Sequence, residues 1–202
     1  MTKEGLQSDT TRDRVLSTSA GLFCQHGYAG VSMRKIAESC DMKAGSLYYH
    51  FSSKDQILTE VLNMGIEKVH AAVAAALRES SVDVSASDRF RHAIAGHLHA
   101  LLEYSSFTSA NVRIFRQVPP SVQHSTLEVR RRYEALWDGF LGDLKSQGQL
   151  RNDVDIRSFR LMLIGALNAT LEWFDPELGD ITELANRYAD MLANGIFAER
   201  CT

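Results

Sequence analysis

Residues 43–54 read Lys43-Ala44-Gly45-Ser46-Leu47-Tyr48-Tyr49-His50-Phe51-Ser52-Ser53-Lys54. Small residues lead the stretch, and Ala44, Leu47, Tyr48 and Phe51 recur at intervals of three and four. That spacing predicts a short helix with one apolar face. Tyr48, Tyr49 and His50 are three consecutive rings, and at about 100° per residue they cannot all enter one core. At least one therefore faces outward with a hydroxyl or imidazole. Gly45 is costly inside a helix, by about 1 kcal/mol relative to Ala. The cost is understandable where the leading end of the helix must approach another surface closely.

Upstream, Ser32 can N-cap a second short helix whose Met33, Ile36, Ala37 and Cys40 follow the same helical spacing. A first helix is expected from Thr11 to His26, with Val15, Leu16, Ser19, Ala20 and Phe23 inward and Gly27 as its C-terminal cap. Downstream, Ser53-Lys54-Asp55-Gln56 has the form of a capping box for a longer helix through Ile57, Leu58, Val61, Leu62 and Val69. Two short helices with a break near Asp41, the second led by small residues, have the organisation of a helix-turn-helix. The first of the pair spans the DNA backbone and the second enters the major groove. The candidate DNA-facing set is Ser32, Met33, Arg34, Lys43, Ala44, Gly45, Ser46, Tyr48, Tyr49, His50 and Lys54. Within it, Lys43 to Ser46 form the leading end, at least one of the three rings faces outward where it can reach phosphate oxygens, and Lys54 adds a cation near a helix N-terminus.

The rest of the chain is also helical in pattern. A polar connector spans Glu79 to Asp88, and a helix follows from Phe90 to Tyr104. Another runs through Val112 and Phe115 and is expected to stop at Pro119-Pro120. Tyr133, Leu136, Trp137, Phe140, Leu141 and Leu144 form an amphipathic run closed by Gly148. Asp153 or Asp155 caps the next helix, which from Phe159 to Leu171 is apolar nearly all round and so is expected to be covered on several sides, either as a fully buried core helix or with one face on a twin subunit. Pro176 and Gly179 end it, and a last helix carries Leu184, Tyr188, Met191, Leu192 and Ile196. The fold expected is all-α, about nine helices, with a helix-turn-helix over 1–55 and a ligand-binding and dimerisation bundle over 56–202.

Composition excludes several classes. Of 202 residues, 45% are hydrophobic and 23% charged, which is ordinary for a globular chain with a real core. Cys24, Cys40 and Cys201 are widely spaced and odd in number, which argues against disulfides and a zinc site and fits a reducing cytosol. The polar N-terminus lacks a signal-peptide core, and the apolar stretch Leu161 to Leu167 is far short of the ~20 residues of a membrane span. A cytoplasmic protein is expected. With 22 Lys and Arg against 25 Asp and Glu, net charge is −3, so DNA binding must rest on a local constellation. His92, His97 and His99 are spaced by five and two and do not share one helical face, so no metal is expected. Arg130-Arg131-Arg132 fans around a helix axis and reads as a solvated or salt-bridged face. No nucleophile elbow, HExxH or glycine-rich phosphate loop is present, so no catalytic set and no cofactor are expected.

The run Phe23-xxx-Gly27-Tyr28, then Val31-Ser32-Met33-Arg34-Lys35-Ile36-Ala37-Glu38, then Gly45-Ser46-Leu47-Tyr48-Tyr49-His50-Phe51 and Ser53-Lys54, closely resembles the DNA-binding domain of the TetR family over about residues 11–60. The resemblance implies phosphate contacts from Tyr49, His50 and Lys54, base contacts from Arg34, Lys43, Ser46 and Tyr48, and core positions for Leu47 and Phe51. It also implies a homodimer joined by its last two helices and reading a palindromic operator in double-stranded DNA, with release by a small-molecule effector. One departure stands out. Residues 1–60 hold seven Lys or Arg and seven Asp or Glu, so the head is formally neutral.

A looser resemblance, carried by Gly148-x-Leu150-Arg151-x-Asp153-Val154-Asp155, Gly165-Ala166-Leu167-Asn168 and Trp173-Phe174-x-Pro176, is to TetR members that sense fatty acyl or other CoA thioesters. It implies a lipophilic effector such as an acyl-CoA. Phe107, Phe115 and Trp173 are candidate walls for it, and Arg113 and Arg116 candidate cations. The alternative reading is an effector-independent or architectural DNA-binding protein with a filled C-terminal core.

Overall fold

The computed structural model describes residues 3–79, 84–103, 105–175 and 177–196. Among them there is no strand, and ten α-helices are joined by turns and two short 3₁₀ segments. They are α1 Lys3–His26, α2 Met33–Ser39, α3 Ala44–His50, α4 Lys54–Glu79 and α5 Ala86–Glu103, followed by α6 Ser105–Arg113, α7 Pro120–Ser125, α8 Leu127–Ser146, α9 Ile156–Ala169 and α10 Ile181–Ile196. None of the described helices is long and apolar enough to cross a membrane.

The chain forms two compact units. One comprises Met1–Ile66 and Ser105–Val129, the other Glu67–Tyr104 and Arg130–Thr202, so two of the three divisions fall inside helices, α4 and α8, and the third between α5 and α6. The core of the first unit is built from α1 (Val15, Leu16, Ala20, Phe23), α2 (Ile36, Ala37), α3 (Leu47) and α4 (Ile57, Leu58, Val61, Leu62). It continues without a break into Phe107, Ala110, Ile114, Val118 and Val122. The helix-turn-helix is thus roofed by a segment more than forty residues further along the chain.

Two glycines make this packing possible. Gly27 takes φ +65° beyond the end of α1, which an L side chain resists. At Gly65 a Cβ would fall 2.2 Å from the Phe107 carbonyl oxygen, so α4 and α6 meet there backbone to backbone. Asn111 Nδ2 donates to the Leu62 carbonyl at 2.6 Å beside that contact.

In the second unit α5 packs closely with α10. Phe90, Trp137 and Phe159 from α5, α8 and α9 meet at its centre, with ring centroids 6.1 and 6.5 Å from Phe90. Arg160 is 6% exposed, and its guanidinium is held by Asp138 at 2.7 Å and Glu134 at 3.2 Å. A buried cation needs such partners, because desolvation is otherwise uncompensated.

Several boundaries differ from the pattern reading. α1 begins at Lys3, eight residues before the expected Thr11. α6 already stops at Arg113, and only a 3₁₀ turn, Phe115–Gln117, runs on to an extended Val118 before Pro119; Pro120 occupies the first turn of α7, where its missing N–H has no intrahelical partner to lose. Asp155 and not Asp153 caps α9, accepting from the Ser158 N–H at 2.8 Å. The connector residues 80–83 lie outside the described residues, as do Tyr104 and Pro176. Of the two expectations for α9, the fully buried core helix is not what forms within this chain: Phe159, Leu163 and Leu167 are buried, but Leu161 is 57% and Met162 53% exposed. Hydropathy alone cannot say whether a face is covered by the same chain.

Candidate nucleic-acid interface

Ser32 caps α2 as its type and position predict, its Oγ accepting from the Lys35 N–H at 3.1 Å. Asp41 adopts a left-handed φ of +52°, and the Met42 N–H returns to the Ala37 carbonyl at 2.9 Å, turning the chain between α2 and α3. Lys43 is the residue before α3 and makes no side-chain cap, so its exposed ammonium is not engaged with the helix end.

α3 has two unlike faces. Leu47 and, just past its end, Phe51 are 0% and 1% exposed. Lys43, Ala44, Gly45 and Ser46 are exposed together at the leading end, and a Cβ on Gly45 would meet nothing within 4 Å. Tyr48 is 55% and Tyr49 85% exposed, so two of the three rings point outward. Tyr49 meets the half-buried His50 edge-on at 5.3 Å. A large aromatic held 85% in solvent gains little burial from the chain itself.

Salt links hold this helix in place. Arg12 on α1 donates through Nη1 to the His50 carbonyl at 2.9 Å, satisfying one acceptor at the open end of α3. Its Nη2 lies 2.5 Å from each carboxylate oxygen of Glu60 on α4, and its guanidinium stacks 4.3 Å from the centre of the Phe51 ring. Tyr28 donates to Asp55 Oδ1 at 2.5 Å, and that hydrogen bond is the first cause of a phenol pKa pushed up to about 12. The Ser53 cap forms with a shift in register. Ser53 Oγ accepts from the Gln56 N–H at 3.1 Å, whereas Gln56 Oε1 reaches back to the Ser52 N–H at 2.8 Å, one residue earlier than in the capping box.

The remaining residues of the set fall into three groups. Ser32 and Arg34 are exposed, and Arg34 forms an i,i+4 pair with Glu38 at 2.8 Å, a link too exposed to contribute much. Met33 is half-buried and packs against the core. Lys54 turns inward: Nζ donates to the Tyr28 and Val31 carbonyls, both at 2.9 Å, and lies 3.8 Å from the centre of the Tyr28 ring. Two of its three N–H donors are thus used within the fold.

Of the effector candidates, Phe107 is 7% exposed and belongs to the core of the first unit, against which Phe115 packs. Arg113 and Arg116 are exposed on that same unit. Trp173 belongs to the other unit, 57% exposed and edge-on to Phe174 at 6.0 Å. The histidines diverge: His97 turns inward to Tyr133, while His99 bonds Glu103 and Thr182 at the surface. Pattern reading missed Arg12 and Glu60 as the brace on α3, and Asp55 as the partner that ties Tyr28, in the turn after α1, to α4. Nothing local marks them, because their partners lie 27 to 48 residues away.

Comparison with known proteins gives these elements a context. Residues 15–61 match the family model described as "Bacterial regulatory proteins, tetR family", and residues 83–196 match "Tetracyclin repressor-like, C-terminal domain". The fatty acid metabolism regulator protein of Bacillus subtilis (strain 168) is 20% identical over 185 residues, covering 91% of this chain and 94% of its own. Among solved structures, the TetR family transcriptional regulator PfmR from Thermus thermophilus is 28% identical, with a TM-score of 0.78 over 94% of this chain and 97% of its own. AibR, solved in complex with isovaleryl coenzyme A and operator DNA, is 22% identical, with a TM-score of 0.75 over 93% of this chain and 98% of its own.

Proposed function

From a chain that belongs to the TetR family of bacterial transcriptional regulators, we infer a repressor that grips operator DNA through α2 and α3 and is released by a small lipophilic effector. The observation that carries the DNA reading is the divided surface of α3. Its leading end is small and exposed and its two tyrosines face solvent, while Leu47 and Phe51 lock the opposite side into the core. Lys43, Ser46, Tyr48 and Arg34 are the base-reading residues in this proposal. Tyr49, His50 and the remaining Lys54 donor hold phosphates, Ser32 anchors the front of α2, and Ala44 and Gly45 allow close approach. Met33 supports α2 from behind.

Function divides in this reading into residues 1–55 for DNA and 56–202 for effector and dimerisation, with α4, which contributes to both compact units, as the coupling element. The effector class is an acyl-CoA or a related acyl compound. Support comes from the likeness to a fatty acid regulator and to a CoA-bound regulator, and from the Gly148–Asp155 and Gly165–Asn168 stretches. The partner chain is a second copy, seated on the uncovered apolar face that includes Leu161, Met162 and Met191. Two heads one DNA turn apart then read a palindrome.

Fluorescence anisotropy with labelled DNA flanking the protein's own gene tests this, with and without dodecanoyl-CoA. Specific binding reversed by the thioester is expected. Specific binding that no acyl compound reverses leaves the effector-independent regulator, and loss of all specific binding removes the reading of α3.

A further inference from the structure

The head that reads DNA in this proposal is formally neutral, and part of its positive charge is engaged within the fold. Of the seven Lys or Arg in residues 1–60, Arg12 is held by Glu60, Arg34 by Glu38, and Lys54 by the Tyr28 and Val31 carbonyls. Double-stranded DNA carries one negative charge per about 1.7 Å of its axis, so cations brought to its backbone from elsewhere in the chain strengthen binding. The same compact unit holds such a source. Its later segment, 105–129, carries Arg113 and Arg116 against one acidic residue, Glu128.

The turn between α1 and α2 fixes where these arginines lie. Gly27 ends α1 at φ +65°, and a Cβ there would fall 3.0 Å from Gln117 Oε1, so the 3₁₀ turn Phe115–Gln117 abuts the start of that turn. Gln117 Nε2 donates to the Arg113 carbonyl at 3.4 Å, tying the end of α6 to the same place. Burial pushes the Cys24 thiol pKa up and the Arg113 charge opposes that rise, so the guanidinium lies close to the last turn of α1. Ile114 and Val118 fill the core beneath, while Arg113 and Arg116 are exposed. Lys54 holds the other end of the turn through the Tyr28 and Val31 carbonyls. Ala29, Gly30 and Ser32 are exposed along it and present no large side chain. The turn that leads into the exposed front of α2 is thus bordered by Lys54 at one end and by the arginine-bearing segment at the other.

We propose that Arg113 and Arg116 form an accessory phosphate clamp that contacts the DNA backbone beside the groove entered by α3, on the flank reached by the α1–α2 turn. This rests on the reading of α2 and α3 as the DNA-binding elements and extends the contact to a segment far along the chain. It takes both arginines from the effector and gives them to phosphates, to which a planar guanidinium can donate two parallel N–H bonds. Such contacts add affinity and salt dependence without sequence information.

The full-length protein is titrated by fluorescence anisotropy into labelled DNA flanking its own gene and into an unrelated duplex of equal length, from about 0.05 to 0.3 M salt. The double variant Arg113→Gln, Arg116→Gln should lower the slope of log affinity against log salt by about one to two. It should bind roughly tenfold more weakly at about 0.1 M salt, to the same extent on both duplexes. Arg113→Lys with Arg116→Lys keeps both charges and should keep the wild-type slope. Arg131→Gln with Arg132→Gln removes the same charge from the second unit and should also leave the slope unchanged. A wild-type slope in the Arg113, Arg116 glutamine variant overturns the clamp and leaves the reading of α3 intact. An equal fall in the Arg131, Arg132 variant overturns it as well, because net charge alone would then account for the effect. Wild type that prefers neither duplex at any salt removes the reading of α3 and the clamp with it.

Discussion

The two units place their polar and apolar chemistry in opposite ways. The first buries Leu47 and Phe51 and shows solvent Lys43, Ser46, Tyr48 and Tyr49. The second shows solvent Leu161, Met162, Leu178 and Met191 and buries His97, Tyr133, Trp137 and Arg160. Exposed rings with polar tips suit a hydrated, charged polymer, where contact with a phosphate replaces contact with water. Exposed methyl and thioether groups gain only from another apolar surface. Buried polar groups need partners, and here Asp138 and Glu134 hold Arg160 while Tyr133 joins Trp137 to His97. In the proposed reading each unit then has its own outward partner, DNA for the first and a second copy for the second.

The sharpest way to break this contrast is Leu161→Glu. The side chain is already 57% exposed, so the charge costs the isolated chain little. Buried in a dimer without a partner it is costly, and dimerisation is expected to weaken by roughly 1,000-fold, about 4 kcal/mol. Sedimentation velocity reads the result, and operator affinity should fall with it. A variant that remains dimeric would free that apolar face from the interface.

Acid should act next most strongly, and on the second unit. His97 titrates near 6.5 in the unfolded chain and near 4 in the fold, because burial disfavours the cation. Between those values the unfolded chain holds more protons, so stability is full above pH 6.5 and is lost as pH falls toward 4. The loss is on the order of 3 kcal/mol. The carboxylates whose pKa values are lowered in the fold, Asp88, Asp153, Asp155 and Asp180, act only below their ordinary value of 3.8, outside this window. Chemical denaturation at about pH 7, 6 and 5 should show the slope in wild type and a flatter one in His97→Gln. Equal slopes would mean that His97 is not the group responsible.

The smallest effects belong to the first unit. Tyr49→Ala should weaken binding to all DNA sequences alike, by about tenfold, since phosphate contacts carry no sequence information. Lys43→Ala and Ser46→Ala should change which operator variants are preferred. Competition binding against a panel of single-base operator variants separates the two. A Tyr49 change that altered preference would move that ring from the backbone to the bases.

Much of the first unit was legible because its signals are local. The Ser32 cap, the Gly27 turn, the Leu47 and Phe51 spacing and the exposure of the leading end of α3 all follow from residues within a few positions of one another. The brace on α3 was not legible, since Arg12 meets His50 38 residues away and Glu60 48 residues away. Pro120 misled for a related reason. A proline that cannot continue one helix is equally suited to begin another, and only the preceding chain decides which.

The sequence by itself determined an all-helical chain, the position of its helix-turn-helix and the faces of α1 to α3 that enter a core. These follow from period, caps and side-chain size, which act over one or two turns. Only the tertiary structure decided that Arg130 turns inward while its neighbours do not, that His97 meets Tyr133 across 36 residues, and that the apolar side of α9 is left bare. Each of those depends on which distant helix lies alongside. Periodicity reports that a face is apolar or a ring is polar-tipped; packing between helices decides what, if anything, that group touches.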